Sequence, residues 1–314
     1  MPPYVGRGLS IGVGTESTWG TAVSRTVWFE GVSESMTRTV KKNGSATIAG
    51  GAGRGRRRHY IESDMAGGSI ELLVTYEGMG ILLQQITSAT VATTGAGPYT
   101  HTYKTAATVL PGCTIEVVRG DGTAEVFEGC KVTKAAFKIT AGGEMRCTLD
   151  VIAETSGGRV SAGTPSYTTS RDYVALHHQA GTFSWNAVAY TPRSVEFSID
   201  NAYATRQLLG SKLTAEPKPS DFAKFNCKLE LEWNSDALNT ALTADTESDG
   251  AITFTSGAKT IAFQIHNAYI DAVSDPVNTV GVIAQSVSFV GQDDGTDLGF
   301  AVVVVNAQAS GIAA

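Results

Sequence analysis

From residue 113 to 153 the chain alternates. Ala135, Phe137 and Ile139 fall on one side of an extended segment, and Lys134, Ala136 and Lys138 fall on the other. Beyond Gly142-Gly143, Met145, Cys147, Leu149 and Val151 alternate with Arg146, Thr148 and Asp150. A period of two is that of strands with one buried and one wet face, so this stretch predicts an antiparallel meander. "SIELLVTYEGMGILLQQITS" changes period. Ile70, Leu72 and Val74 alternate, whereas Met79, Leu82, Leu83 and Ile86 recur at helical spacing, which predicts a strand entering one amphipathic helix. "TVWFEGVSESMTRTVKKNGSATIAGGAG" reads as two strands ending in Asn43-Gly44, a two-residue hairpin turn because both positions tolerate positive φ. "GAGRGRRRHYIESDMAGG" is too polar to pack and predicts a long loop over residues 43–66. Residues 1–25, rich in Gly, Ser and Thr and without a period, predict an extended N-terminal arm.

The second half repeats the first in outline. "SVEFSIDNAYATRQ" parallels "TVWFEGVSESMTRT", and "FNCKLELEWNSDALNTALTA" parallels the strand and helix of 69–88. "TIAFQIHNAYIDAVSDPVNTVGVIAQSVSFVG" parallels the meander. The expected fold is therefore mainly β: two related antiparallel β-sandwich or barrel domains, 26–158 and 159–314, each with a short flanking helix. The Ser/Gly/Thr-rich stretch 156–170 is the expected join.

Composition agrees: 35 Gly against 9 Pro in 314 residues, with 42% hydrophobic residues, suits many short strands around one large or two medium cores. Charge adds an asymmetry. Residues 1–70 hold nine Lys/Arg against five Asp/Glu, and residues 71–314 hold fifteen against twenty-five. A basic segment on an acidic body favours self-association over nucleic-acid binding. Arg54, Arg56, Arg57 and Arg58, followed by His59 and Tyr60, are the sharpest feature, and an acidic surface on a neighbouring subunit is their expected partner. The four cysteines, Cys113, Cys130, Cys147 and Cys227, have no zinc-site spacing and are expected to be free thiols. The first residues contain no apolar signal-peptide core, and no apolar run reaches the ~18 residues of a membrane span, so neither a cleaved export signal nor a membrane anchor is expected.

Motifs that could carry chemistry fail on context. Arg119-Gly120-Asp121 resembles an adhesion tripeptide, but Asp121-Gly122 lies midway between two alternating runs, where a hairpin turn explains it. No Gly-x-Ser-x-Gly, Walker loop or His-Glu-x-x-His occurs. His177 and His178 are adjacent, so in a strand they point to opposite faces and cannot share a metal. "DTESDG" and "GQDDGTD" cluster oxygen donors without the spacing of a calcium loop, and solvated turns explain them. Asn43-Gly44-Ser45 is a glycosylation sequon that is more simply a turn. Neither an enzyme nor a cofactor is expected.

Taken together, "GVGTESTWGTA", "VWFEGVSESM", the Gly/Arg-rich loop, "AGGSIELLVTYEGMGILLQQI" and "FEGCKVTKAAFKITAGGEMRCTLDVIAE" resemble the major tail tube proteins of long-tailed, non-contractile bacteriophages. The resemblance covers nearly the whole chain. It implies a structural virion protein of the tail, assembled in the bacterial host cytoplasm, whose inner sheets join into rings that stack as a hollow tube. The rings would hold three two-domain chains as a pseudo-hexamer, or six chains. Implied partners are further copies, a tape measure protein, a tail terminator and distal tail proteins, with DNA passing along an acidic lumen without specific binding. The loop 43–66 would reach neighbouring subunits or the next ring, and the N-terminal arm and the tail "NAQASGIAA" are second candidates for that contact. No immunoglobulin-like decoration domain is expected after "FAVVVVN". Rival readings are a capsid or baseplate β-sandwich protein, a carbohydrate-binding adhesin, for which Trp19, Trp28, Trp185 and Trp233 are too scattered, and a polysaccharide-cleaving β protein.

Overall fold

The computed structural model describes residues 8–44, 59–88, 91–105, 110–120, 122–167, 177, 179, 181–277, 280–293, 295 and 299–312. In the first half these form β1 (Leu9–Thr15), β2 (Val27–Glu34), β3 (Thr37–Gly44), β4 (His59–Leu73), α1 (Gly80–Thr87), β5 (Ala92–Thr94), β6 (Tyr99–Lys104), β7 (Cys113–Arg119), β8 (Thr123–Thr140), β9 (Arg146–Ala153) and β10 (Thr155–Ser161). In the second half they form β11 (Gly181–Trp185), β12 (Val188–Tyr190), β13 (Ser194–Asp200), β14 (Tyr203–Arg206), β15 (Ala215–Pro219), β16 (Lys224–Glu232), α2 (Ala237–Thr243), β17 (Ser248–Ser256), β18 (Lys259–Ser274), β19 (Ala284–Gly291) and β20 (Phe300–Asn306). The protein is mainly β, as the alternation predicted.

In the first half β1, β7, β8, β9, β4 and β2 pair antiparallel in that order, and β2 returns to β1, closing a barrel. In the second half β11, β17, β18, β19, β16 and β13 pair in the same order. There β11 pairs with β12 as β1 does with β2, and β12 and β13, separated by residues 191–193, together take the place of β2. At this break lies a mostly apolar cavity of about 360 Å³, lined by Phe183, Tyr190, Val195 and Ile252 among others. The edge of β13 left free is taken by β8, from Ser194↔Thr140 to Asp200↔Lys134. A second joint between the halves pairs β20 with β6. One hydrophobic core consequently runs through both halves; Phe137 of β8 meets Phe263 of β18 at 4.8 Å between ring centroids.

Several local expectations are corrected. Residues 8–25 are no free arm, since β1 sits between β2 and β7 and is buried on both faces. The alternation of Leu9, Ile11 and Val13 is masked in the sequence by glycines, which are there for space. A Cβ on Gly12 would stand 3.0 Å from the Trp28 ring, and one on Gly14 would stand 2.4 Å from the Ser24 carbonyl oxygen. The loop expected over 43–66 is strand at both described ends. β3 and β4 form a continuous ribbon from Thr37↔Gly67 to Gly44↔His59. Asn43 and Gly44 thus lie in β3, opposite Tyr60 and His59, and are not a two-residue turn. Positive φ tolerance permits a turn but does not impose one when a partner strand is present.

The helix predicted from Met79 to Ile86 is α1, but it is covered all round rather than on one face: Gln84 and Gln85 are 9% and 5% exposed. β1, β6 and β8 pack on it, and Asn201 donates from Nδ2 to the Ile86 and Val132 carbonyls at 3.0 Å each. α2 buries only Leu238 and is the truly flanking helix. The tail after β20 also packs down. Tyr103 donates from Oη to the Gly311 carbonyl at 2.5 Å, and the Gly78 N–H donates to Gln308 Oε1 at 3.3 Å. The stretch read as a join, 156–170, begins as β10, which pairs with β8.

Candidate assembly surfaces

The β3–β4 ribbon projects from the barrel with every residue of β3 but Gly44 exposed. Most strands bury alternate residues; this one has nothing to bury them against, so side-chain pairs across the ribbon hold it. Lys41 Nζ reaches Glu62 at 2.8 Å. Arg38 grips Asp64 with two parallel bonds of 2.7 and 2.6 Å, the fork geometry that suits a carboxylate. Asp64 is only 1% exposed, and the Arg38 hydrogen bonds outweigh burial to hold its carboxyl below the usual range. Its backbone N–H donates to the Lys212 carbonyl at 2.8 Å, and Lys212 Nζ lies 3.8 Å from its side chain.

Lys212 belongs to the turn of a second ribbon, β14–β15, which repeats the first on a smaller scale. Lys131, 3% exposed, anchors that ribbon to β8 by reaching Glu216 at 2.7 Å with its ammonium 5.6 Å from the Tyr203 ring centroid. Burial pulls the Lys131 pKa down, the cost of sinking an ammonium among strands. The turn presents Leu208 and Leu209 at 58% and 106% exposure.

Of the expected contact residues, His59 and Tyr60 open β4 at the far end of the first ribbon, with Tyr60 55% exposed and Ile61 beside it 40% exposed. Arg54, Arg56, Arg57 and Arg58 lie outside the described residues, as do Asp121 and His178. Gly122, at φ +75°, sits in the turn between β7 and β8.

The adhesion-like tripeptide has an internal use. Arg119 donates from Nε and Nη2 to Glu34 at 2.7 and 3.1 Å, from Nη1 to Glu125 at 2.7 Å, and from Nη2 to the Met36 carbonyl at 2.7 Å. These bonds raise the guanidinium pKa still further, so the group stays charged. It clips the β7–β8 turn to the junction of β2 and β3. An Arg spent on two carboxylates and a carbonyl has little left for a receptor.

All four cysteines are buried free thiols, with burial pushing each pKa up, so none is poised as a nucleophile. Among the described residues no group of three His, Cys, Asp or Glu is placed to hold a metal. In "DTESDG", Asp249 accepts from the Asn267 N–H of β18 at 3.0 Å across the strands; in "GQDDGTD", Asp293 accepts from the Gly295 N–H at 2.7 Å as a turn bond. No helix among the described residues is long and apolar enough to cross a membrane.

Sequence reasoning missed a second exposed apolar cluster. After β18, Val277, Val280 and Val282 are 71%, 111% and 60% exposed. Three valines in the otherwise turn-like "SDPVNTVGV" were the available signal, since solvated loops gain nothing from valine.

A family model described as "Phage tail tube protein" matches residues 6–291. No curated protein matches the chain.

Proposed function

The chain belongs to the phage tail tube protein family, a structural component of the virion tail, and from that premise we propose that it closes into rings which stack as the hollow conduit for the genome. The observation that carries this reading is the β8–β13 joint. Two halves with the same order of pairings are already fused edge to edge within one chain, as neighbouring subunits of a ring would be. Unpaired edges are hazards in a monomer and are removed when a ring closes.

We read the recurrent pairing order as a duplication, with 159–314 as one repeat and 26–158 together with β1 as the other, which favours three chains per ring over six. A non-contractile, long-tailed phage is the setting, with assembly in the host cytoplasm around a tape measure protein and between a tail terminator and distal tail proteins. The protein acts without catalysis. The acidic excess of residues 71–314, twenty-five Asp/Glu against fifteen Lys/Arg, suits a wall that repels phosphates and lets DNA slide. Electron microscopy of the concentrated protein tests this. Hollow tubes with three chains per ring in end-on views are expected; six chains would remove the duplication, and closed shells would make the chain a capsid component.

A further inference from the structure

The repeated halves match residue by residue at their irregularities. The β-bulge of β7–β8, where Cys113/Ile115 face Cys130/Phe127, recurs in β17–β18, where Ser248/Gly250 face Ala268/Ile265. The bulge of β8–β9 between Val132 and Lys134 recurs in β18–β19 between Ile270 and Ala272. Ala135, opposite Leu149, thus answers to Val273, opposite Val287. Continuing through the sheet, Leu149 pairs with Ile70 and Ile70 with Glu34, as Val287 pairs with Leu229 and Leu229 with Val195. Glu34 therefore answers to Val195, and Arg38 and Thr39 to Ile199 and Asp200.

In the first repeat the edge of β8 from Lys134 to Thr140 is covered by β13. No strand covers the corresponding edge at the end of β18 among the described residues, and Asp271, Ala272 and Ser274 there are exposed. The counterpart of β13 is the stretch from Glu34 through β3, whose edge away from β4 likewise has no strand beside it among the described residues. Each chain has one covered copy of this joint and the two halves of an uncovered one. The uncovered edges carry exposed apolar groups, Val40 at 39% on one and Val277 at 71% on the other.

We propose that the edge of β18 from Asp271 to Ser274 receives the β2–β3 edge of a second copy of this chain, in the register of β13 on β8. The inference rests on the ring reading and says which strands make the ring's intermolecular seam. Transferring Asp200↔Lys134 and Ile199↔Ala135 places Thr39 opposite Ala272 and Arg38 opposite Val273. Asp271 then comes opposite Val40, diagonal to Arg38, so an acidic edge meets a basic one. The seam joins two different patches head to tail, which is the arrangement that closes rings.

The internal joint also supplies the bonding pattern. The Asn201 N–H donates to the Thr133 carbonyl at 2.8 Å and the Ala141 N–H to the Arg193 carbonyl at 2.7 Å, so Asp200 and Lys134 form a pair without main-chain bonds between them. Such pairs bring Cα atoms to ~4.5 Å, within disulfide reach. Thr39→Cys and Ala272→Cys, both at exposed positions, should therefore cross-link between copies.

The test is oxidation of the T39C/A272C variant at millimolar concentration, read by non-reducing electrophoresis and electron microscopy, with T39C/K259C as the out-of-register control. A ladder of covalent multimers ending at the ring number, present in the tubes and absent from the control, is expected. Hollow tubes without the ladder overturn the seam and leave the tube reading standing. A ladder without tubes supports the seam and overturns the tube reading. A chain that stays monomeric and uncross-linked overturns both.

Discussion

Asp64 ties three segments together: Arg38 on β3, its own strand β4, and Lys212 in the turn of the second ribbon. Its pairing lowers its pKa, so the stability it contributes is present above the ordinary carboxylate pKa and is lost as pH falls through the lower, folded-state value. Asp64→Asn removes the charge and one acceptor from a buried site, leaving Arg38 partly unpaired. The expected loss is about 2 kcal/mol at pH 7, shrinking toward zero in strong acid where the parent is itself protonated. Denaturant titrations at the two pH values check it; an equal loss at both would mean that shape and not charge is at work. The Arg54, Arg56, Arg57 and Arg58 cluster is conspicuous in the sequence, whereas Asp64 is not, because a single Asp in "IESDM" shows nothing of a partner 26 residues back and another far ahead.

At the scale of elements, the two ribbons decide how the molecule presents itself. The first is exposed along β3, and its two strands are joined in sequence by residues 45–58, which carry the arginines. Because the ribbon's own ion pairs are Lys41 with Glu62 and Arg38 with Asp64, changing the four arginines leaves them intact. Replacing Arg54, Arg56, Arg57 and Arg58 together by Glu is expected to leave circular dichroism and melting temperature near those of the parent while abolishing tube growth. Unchanged tubes would remove these arginines from the assembly contacts. Hydrophobic period located α1 and the β8–β9 meander, because period is a local property that neighbours in sequence reveal. It failed for β1, where glycines stand in for one face, and for the start of β4, which pairs with a β3 that buries none of its residues.

On the scale of the whole molecule, the halves repeat one order of pairings yet do not form separate bodies. β8 pairs with β13, β6 with β20, and Phe137 packs on Phe263 across the boundary. Neither half can open without exposing strand edges and core of the other. Unfolding is therefore expected as one cooperative transition in calorimetry, with calorimetric and van't Hoff enthalpies in agreement. Two resolved transitions would show that the joints are weak beside each half's own core. The second half departs from the first where β2 is continuous: its counterpart is split into β12 and β13, and the cavity lined by Phe183 and Val195 lies at the break.

By itself the sequence determined the β class, the places of both helices, the hairpin behind the Arg119-Gly120-Asp121 tripeptide and the resemblance to tail tube proteins. Each of these rests on spacing among near neighbours, which an extended or helical backbone converts directly into faces. Only the tertiary structure decided that β8 joins the halves through β13, that β1 is core, and that Arg119 is consumed by Glu34, 85 residues away. These are choices among strand partners, and every strand edge offers the same N–H and C=O groups. What selects the partner is the packing of side chains far apart in the chain, a property that no local pattern contains.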